Sequence, residues 1–266
     1  MTKKLNNLPK YLTVKQKSTT PDVAEMYIDG EIVTDELYDS DTSAAGFRDA
    51  LKSLGNVKNI NLHINSPGGS VFEGIAIYNM LKQNPAKVNV YVDGLAASIA
   101  SVIAMSGDAI FMPKNAMMMI HNPWTMAVGN ADELRKQADD LDQITKASVV
   151  TYLNKADGKL DESTLKELMD NETWLTAQEA VDYGLADEVM EPNKAAASID
   201  KRFAQRYRNV PKQLLQTIKA DSDKDDKALE EKRKAIVENA KKRASAMQLE
   251  TLNIKEENYE FLQFKD

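Results

Sequence analysis

The sequence predicts a mixed α/β fold with substantial parallel pairing, and three observations carry that expectation. Short apolar or alternating runs recur between amphipathic stretches of helical period. Glycine-containing breaks follow two of these runs, in INSPGGS (64–70) and VDGLAAS (92–98). Ser70 with Glu73, Asn130 with Glu133 and Thr176 with Glu179 have the spacing of capping boxes, each just ahead of a helical pattern.

Taken in order, AEMYIDGEIV alternates as a strand from about Ala24 to Val33, and TSAAGFRDALKSL places Phe47, Leu51 and Leu54 on one helical face. VKNINLHIN reads as a strand with Ile60, Leu62 and Ile64 on one side and Asn61, His63 and Asn65 on the other. SPGG then reads as a turn, and Ser70 opens the helix SVFEGIAIYNMLKQ. VNVYVDG is a short strand, the segment from Ser98 a buried helix, and AIFMP and AMMMIH two further strands. A long helix runs from Asn130 to about Asn154, with Leu134, Ala138, Leu141, Ile144, Val149 and Leu153 forming a seam broader than a lone surface helix needs. Leu160–Met169 is helical again, and TAQEAVDYG is a short helix leading into the strand LADEVM.

At 266 residues the chain has room for one core of about 200 residues and an appendage. Hydrophobic residues at 42% and charged residues at 28% fit a globular body rather than bulk disorder. Residues 1–200 carry 18 Lys/Arg against 29 Asp/Glu and residues 201–266 carry 16 against 12, so an acidic body bears a mildly basic tail. The expected division is a flexible leading segment 1–22, a folded body 23–192 and a charged extension 193–266, mostly helical or partly disordered. The run KRFAQRYRNVPKQLLQTIK holds six basic residues and no acid, yet it is short and lacks a reading motif, so a solvated or protein-docking arm is expected rather than a nucleic-acid site. No cysteine is present, which excludes disulfides, thiolate nucleophiles and Cys-ligated metal, and points to a reducing compartment. MTKKLNNLPKYLTVKQ has no apolar core of a signal peptide, and the apolar stretch Gly94–Gly107 is too short to span a bilayer, so neither export nor a membrane partner is expected.

With only His63 and His121 available, the search for a general base is short. His63 faces outward from an alternating strand. His121 ends the apolar run AMMMIH and precedes Asn122-Pro123, which puts its ring at a strand end, where sites form in open α/β sheets. Ser98 starts a helix after Gly-Leu-Ala-Ala, so its hydroxyl lies beside unsatisfied N–H groups, and the amide of Ile99 can donate to an oxyanion. Gly68 and Gly69 offer further main-chain donors with no side chain in the way.

INSPGGSVFEGIAIYNML, DGLAASIASVIAMSG, MMIHNP and TWLTAQEAVDYGLADEV resemble, in order and spacing, the motifs of the Clp protease proteolytic subunit (ClpP) family of serine peptidases, over about residues 24–190. The resemblance implies a ClpP/crotonase-like spiral of repeated strand-strand-helix units, with the long helix used in ring assembly as a heptamer or tetradecamer. It implies Ser98 as nucleophile, His121 as base, and Gly69 and Ile99 as oxyanion-hole donors. Gap-free matching on Trp174 places the third triad member at Glu172, with Asp170 as the alternative. Protein or peptide substrate would lie as an added strand between the segments Gly68, Ser70, Val71 and Asn122, Pro123, Trp124. No metal or organic cofactor is implied. Activity would rise around pH 6–7 if His121 titrates near the reference value.

Several features depart from the housekeeping members. Asn171 stands where they carry an Arg, WTMAVGNADEL has one glycine, and the extension past residue 200 is additional. These features, with the strand YIDGEIV, resemble the ClpP-like proteases of phages and prophages. That likeness implies ATP-independent processing of capsid, portal or scaffold proteins during head maturation, in the bacterial or infected-host cytoplasm or inside the prohead. The alternatives are a housekeeping chamber working with a Clp-type ATP-dependent unfoldase, and a non-catalytic assembly scaffold.

Overall fold

The computed structural model describes residues 15–16, 22–38, 40–192, 199 and 201–215. Alternation builds the centre of the sheet. In Val23–Ile32 (β2, after a two-residue strand β1 at Lys15–Gln16), Asn59–Gly69 (β3) and Lys87–Ala97 (β4), buried residues alternate along most of each strand, among them Ile28, Ile60, Leu62, Ile64, Val90 and Val92. These strands pair in parallel, β2 with β3 and β3 with β4. Ala44–Ser53 (α1) and Val71–Lys82 (α2) supply the crossovers that parallel pairing requires. Ala109–Pro113 (β5) and Glu188–Met190 (β8) extend the sheet, and Met117–Ile120 (β6) and Thr173–Thr176 (β7) branch from it. The path among the described residues is β1-β2-β3-β4-β5-β8, with β6 on β4 and β7 antiparallel to β6.

The branch at β4 creates the site. Its first half pairs with β5 through Asn89–Tyr91, and its second half pairs with β6 through Leu95, Ala96 and Ala97. Parallel β3, β4 and β6 therefore end together, and the helix Ile99–Ala104 (α3) leaves from the tip of β4 with all six residues buried. Here the structure corrects the strand ends expected from sequence. β3 does not turn at SPGG but continues to Gly69, because Gly68 and Gly69 pair with Glu31 and Ile32 of β2. Likewise β4 runs past Asp93 to Ala97, because β6 pairs with its far end.

The capping boxes at Asn130 and Thr176 form as expected, opening Ala131–Ala156 (α4) and Ala177–Asp182 (α6), while Asp161 caps Glu162–Asp170 (α5). The one expected at Ser70 does not form. Ser70 makes no side-chain cap bond, and Glu73 instead accepts from the Ala44 N–H at 2.7 Å, tying α2 to the start of α1. In α4 only Ser148, Val149, Tyr152 and Ala156 are buried, so the front of the helix projects from the core with Leu134 44% exposed. No helix among the described residues is long and apolar enough to cross a membrane.

Past the body, Lys201–Ala204 (α7) and a 3-10 turn at Lys212–Leu215 lie in the same compact unit as residues 22–192. Ile199 and Leu214 are buried in a second apolar cluster with Leu95, Ala97 and Met119. The expected arm beyond residue 215 lies outside the described residues.

On its other face the sheet carries a ladder of rings. Tyr27, His63, Tyr91 and Phe111 stand on four neighbouring strands with centroids 4.7, 5.1 and 4.9 Å apart, the spacing of the strands themselves. His63 sits in it with Nδ1 2.9 Å from Asp93 Oδ2 and Nε2 3.2 Å from Glu25 Oε2. Burial pushes its pKa down, but the hydrogen bonds and charges of Asp93 and Glu25 outweigh burial and hold it above 6.5. His63 is thus a structural ion-pair partner, remote from the strand ends.

A folded-state pKa above the unfolded one stabilises the fold fully below the unfolded value, and that contribution fades as pH rises through the folded one. Urea denaturation should accordingly show the stability gap between the protein and His63→Gln at its full size below about pH 6 and narrowing as pH rises past about 6.5. Packing of α2 on α3 gives a second expectation. A Cβ at Gly74 would sit 2.1 Å from Ile99 Cγ1, so Gly74→Ala should lower unfolding stability by roughly 1–3 kcal/mol in the same assay.

Candidate active site

Three ladders bring the polar groups together. Met119 is the register partner of Ala97, and the Ser98 N–H donates to the Met119 carbonyl at 2.9 Å, which fixes Ser98 beside the end of β6. His121 follows β6 directly, and its Nε2 lies 2.8 Å from Ser98 Oγ. Ile120 pairs with Thr173 of β7, which brings Glu172 to the same corner.

Ser98 has φ 55° and ψ −128°, a conformation that side-chain-bearing residues rarely adopt. The surroundings hold it there. Ser101 Oγ donates to the Ser98 carbonyl at 2.5 Å and is 2.7 Å from the hydroxyl of Tyr152, a fully buried residue of α4. Gly68, at φ 90°, presses against the elbow: a Cβ there would fall 2.6 Å from the Ala97 carbonyl oxygen and 2.8 Å from Ser98 Cβ. Ser66, 1% exposed, steadies the glycine pair by donating to the Gly30 carbonyl at 2.6 Å and accepting from the Gly68 N–H at 3.1 Å.

Glu172 is 4% exposed and has φ 51°, just past the end of α5, where Gly or Asn is the usual choice. Its charge acts on His121, yet no hydrogen bond joins the two among the described residues. Glu172 Oε1 accepts instead from the Asn209 N–H at 2.7 Å. Asp170, the other candidate acid, is exposed and accepts from Asn122 Nδ2 at 2.6 Å. The imidazole of His121 is shifted down from 6.5. Burial is the main cause, the Arg208 charge adds to it, and Glu172 opposes it.

The cleft over this pair is lined in part by Gly69, Val71, Pro123 and Trp124, the last 52% exposed at the rim. Asn122 turns to Asp170, the Ser70 N–H donates to the Ile32 carbonyl at 2.7 Å, and the Ile99 side chain is buried under α2. Ile99 opens α3, so its main-chain N–H has no acceptor within the helix. Gly69 closes β3 at φ 148°, where a Cβ would lie 2.0 Å from the Ile32 carbonyl oxygen. No cluster of three or more metal-ligating side chains occurs among the described residues.

Sequence reasoning did not find Ser66, Ser101 and Tyr152. Ser101 lies one helical turn after Ser98 in an apolar run, which is a readable signal; Tyr152 gave none beyond its place on α4. Nor did it find Arg206, Tyr207 and Asn209, which the structure brings to the mouth of the cleft.

A hydroxyl on a strained elbow, bonded to a half-buried imidazole at a neighbouring strand end, is the arrangement of a serine hydrolase. The Clp protease family profile matches residues 22–193, well over half of the chain. The chain belongs to the Clp protease family. It is 37% identical over 170 residues to the ATP-dependent Clp protease proteolytic subunit of Ligilactobacillus salivarius, covering 63% of this chain and 83% of that one. It is also 37% identical over 135 residues to proteolytic subunit 2 of Corynebacterium glutamicum, covering 50% and 66% of the two chains. Over 139 residues it is 34% identical to the proteolytic subunit of Porphyromonas gingivalis, covering 52% and 62%. Clp proteases are serine peptidases, so the chain is a peptide hydrolase of the serine type. The parallel sheet and the long α4 agree with the fold expected from the resemblance.

Neutral imidazole is the form that accepts a proton, so a lowered pKa extends activity toward acid. The acid limb of a kcat/KM–pH profile should have its midpoint below 6.5, rather than in the range a reference histidine gives.

Proposed function

We propose that the chain is the peptidase subunit of a Clp-type proteolytic chamber, with Ser98 as nucleophile, His121 as base, Glu172 as the acid that orients it, and the Gly69 and Ile99 amides as oxyanion donors. The observation that carries this reading is the 2.8 Å contact between Ser98 Oγ and His121 Nε2 on the strained elbow. In this mechanism His121 takes the Ser98 proton as Oγ bonds to the peptide carbonyl carbon. The two amides receive the oxyanion, and His121 returns the proton to the leaving amine as the C–N bond breaks. Water, activated by the same imidazole, then hydrolyses the acyl-enzyme. Glu172 stabilises the imidazolium in both halves, and burial makes its charge more effective than that of exposed Asp170. Extended substrate adds a strand beside the segments at Gly69–Val71 and Pro123–Trp124.

Assembly into a ring is supported by apolar surface that the single chain leaves uncovered. Met126 is 88% exposed, Val128 105% and Leu134 44%, all around the projecting start of α4. The relatives compared are named as ATP-dependent subunits, which supports a chamber fed by a Clp-type unfoldase over stand-alone capsid processing in a phage head. We place this work in the bacterial cytoplasm, where such a partner and its ATP are found.

Two measurements test the reading. Ser98→Ala and His121→Ala should each lower peptide hydrolysis by about 10³-fold or more, and a serine-directed phosphonate should modify Ser98 alone. Degradation of a folded, tagged protein should need a Clp-type unfoldase and ATP. Cleavage of capsid or scaffold protein without either would instead favour the head-maturation reading.

A further inference from the structure

The Ser98–His121 pair is roofed by the chain itself. The Tyr207 ring stands edge-on to His121 at 5.5 Å and to Trp174 at 5.7 Å, and its hydroxyl donates to the Pro67 carbonyl beside the glycine pair. Arg206 pairs with Glu31 at the rim. Asn209 donates its main-chain N–H to Glu172 at 2.7 Å and its side-chain amide to the Asn171 carbonyl at 2.8 Å. Behind these contacts Phe203, Tyr207 and Val210 pack on the apolar cluster that contains Met119, and the Ile199 N–H closes the base of the loop on the Leu214 carbonyl at 2.9 Å. The space left open beside Ser98 is about 130 Å³. That is less than the roughly 300–1,000 Å³ of pockets that hold a drug-sized ligand, and Arg206 and Tyr207 form part of its lining.

We propose that residues 203–210 are an autoinhibitory strap: Tyr207 fills the entry for the substrate main chain, and the Asn209 N–H occupies the Glu172 oxygen that would otherwise orient His121. This rests on the catalytic reading of Ser98 and His121 given above. The two effects are independent. Tyr207 blocks access, whereas Asn209 holds the acid away from Nδ1 and so disfavours the imidazolium that forms during attack. Arg208 adds a positive charge that acts on the same ring in the same sense. The polar anchors are on Glu31, Pro67 and residues 171–172, and none of them is a rung of the β4–β6 ladder that positions the pair. An arriving peptide, docking beside Gly69, competes for the ground that Tyr207 holds.

The test uses the full chain and a fluorophosphonate probe, following modification of Ser98 by intact mass with Ser98→Ala as blank. Labelling rate scales with the open fraction, so Tyr207→Ala and Arg206→Glu should each label about tenfold faster than the parent or more. Arg206→Glu combined with Glu31→Arg restores the ion pair with its charges exchanged and should return the rate toward that of the parent. If the parent labels as fast as both single variants, the strap is overturned while the catalytic pair stands. If no variant is modified at Ser98, the catalytic reading falls and the strap falls with it.

Discussion

The backbone at Ser98 is the constraint on which the rest depends. A residue with a side chain is held at φ 55°, between a buried strand end and a buried helix, and such a geometry persists only where neighbours over-determine it. They do so from every side. The β6 ladder fixes its N–H, Ser101 and Tyr152 fix its carbonyl, and Gly68 leaves room for it on the third side. Tyr152 belongs to the buried end of α4, so the helix whose start projects from the core is bolted at its rear to the Ser98 elbow.

The chain's two histidines show how environment divides one chemistry into two roles. Both are partly buried, and burial alone would lower the basicity of either ring. His63 meets carboxylates at both nitrogens, which raise its basicity and make it a rung in the ring ladder. At His121 the charge of Glu172 opposes burial and Arg208 acts with burial, so the net shift is downward, toward the neutral ring that a proton acceptor needs.

Much of this was legible in the sequence. Period-2 and helical patterning located the long strands and helices, because burial on one face writes itself into residue order. The serine, the histidine and the glycine pair were legible because each sits at a strand or helix end with distinctive neighbours. Strand ends were not. Gly68, Gly69 and Leu95–Ala97 look like turn and helix material, and only the pairing partners β2 and β6 make them strand. The failed capping box at Ser70 has the same origin, since Glu73 finds the Ala44 amide, a partner 29 residues away. Sequence placed Glu172 ahead of Asp170 by its spacing from Trp174, but it could not show that the fold buries the first and exposes the second. The segment at 203–210 read only as a basic run, since what Tyr207 and Asn209 do is set by the cleft they meet, not by their neighbours in the chain.

A blocker joined covalently to the enzyme it blocks behaves unlike any added inhibitor. Its local concentration at the cleft is set by the linking chain, in the millimolar range for short tethers, and dilution leaves its occupancy unchanged. Assembly into the rings that the family implies follows mass action instead and rises with the amount of protein present. On the strap proposed above, access to the cleft therefore answers to competing peptide and not to dilution, whereas assembly answers to the amount of protein.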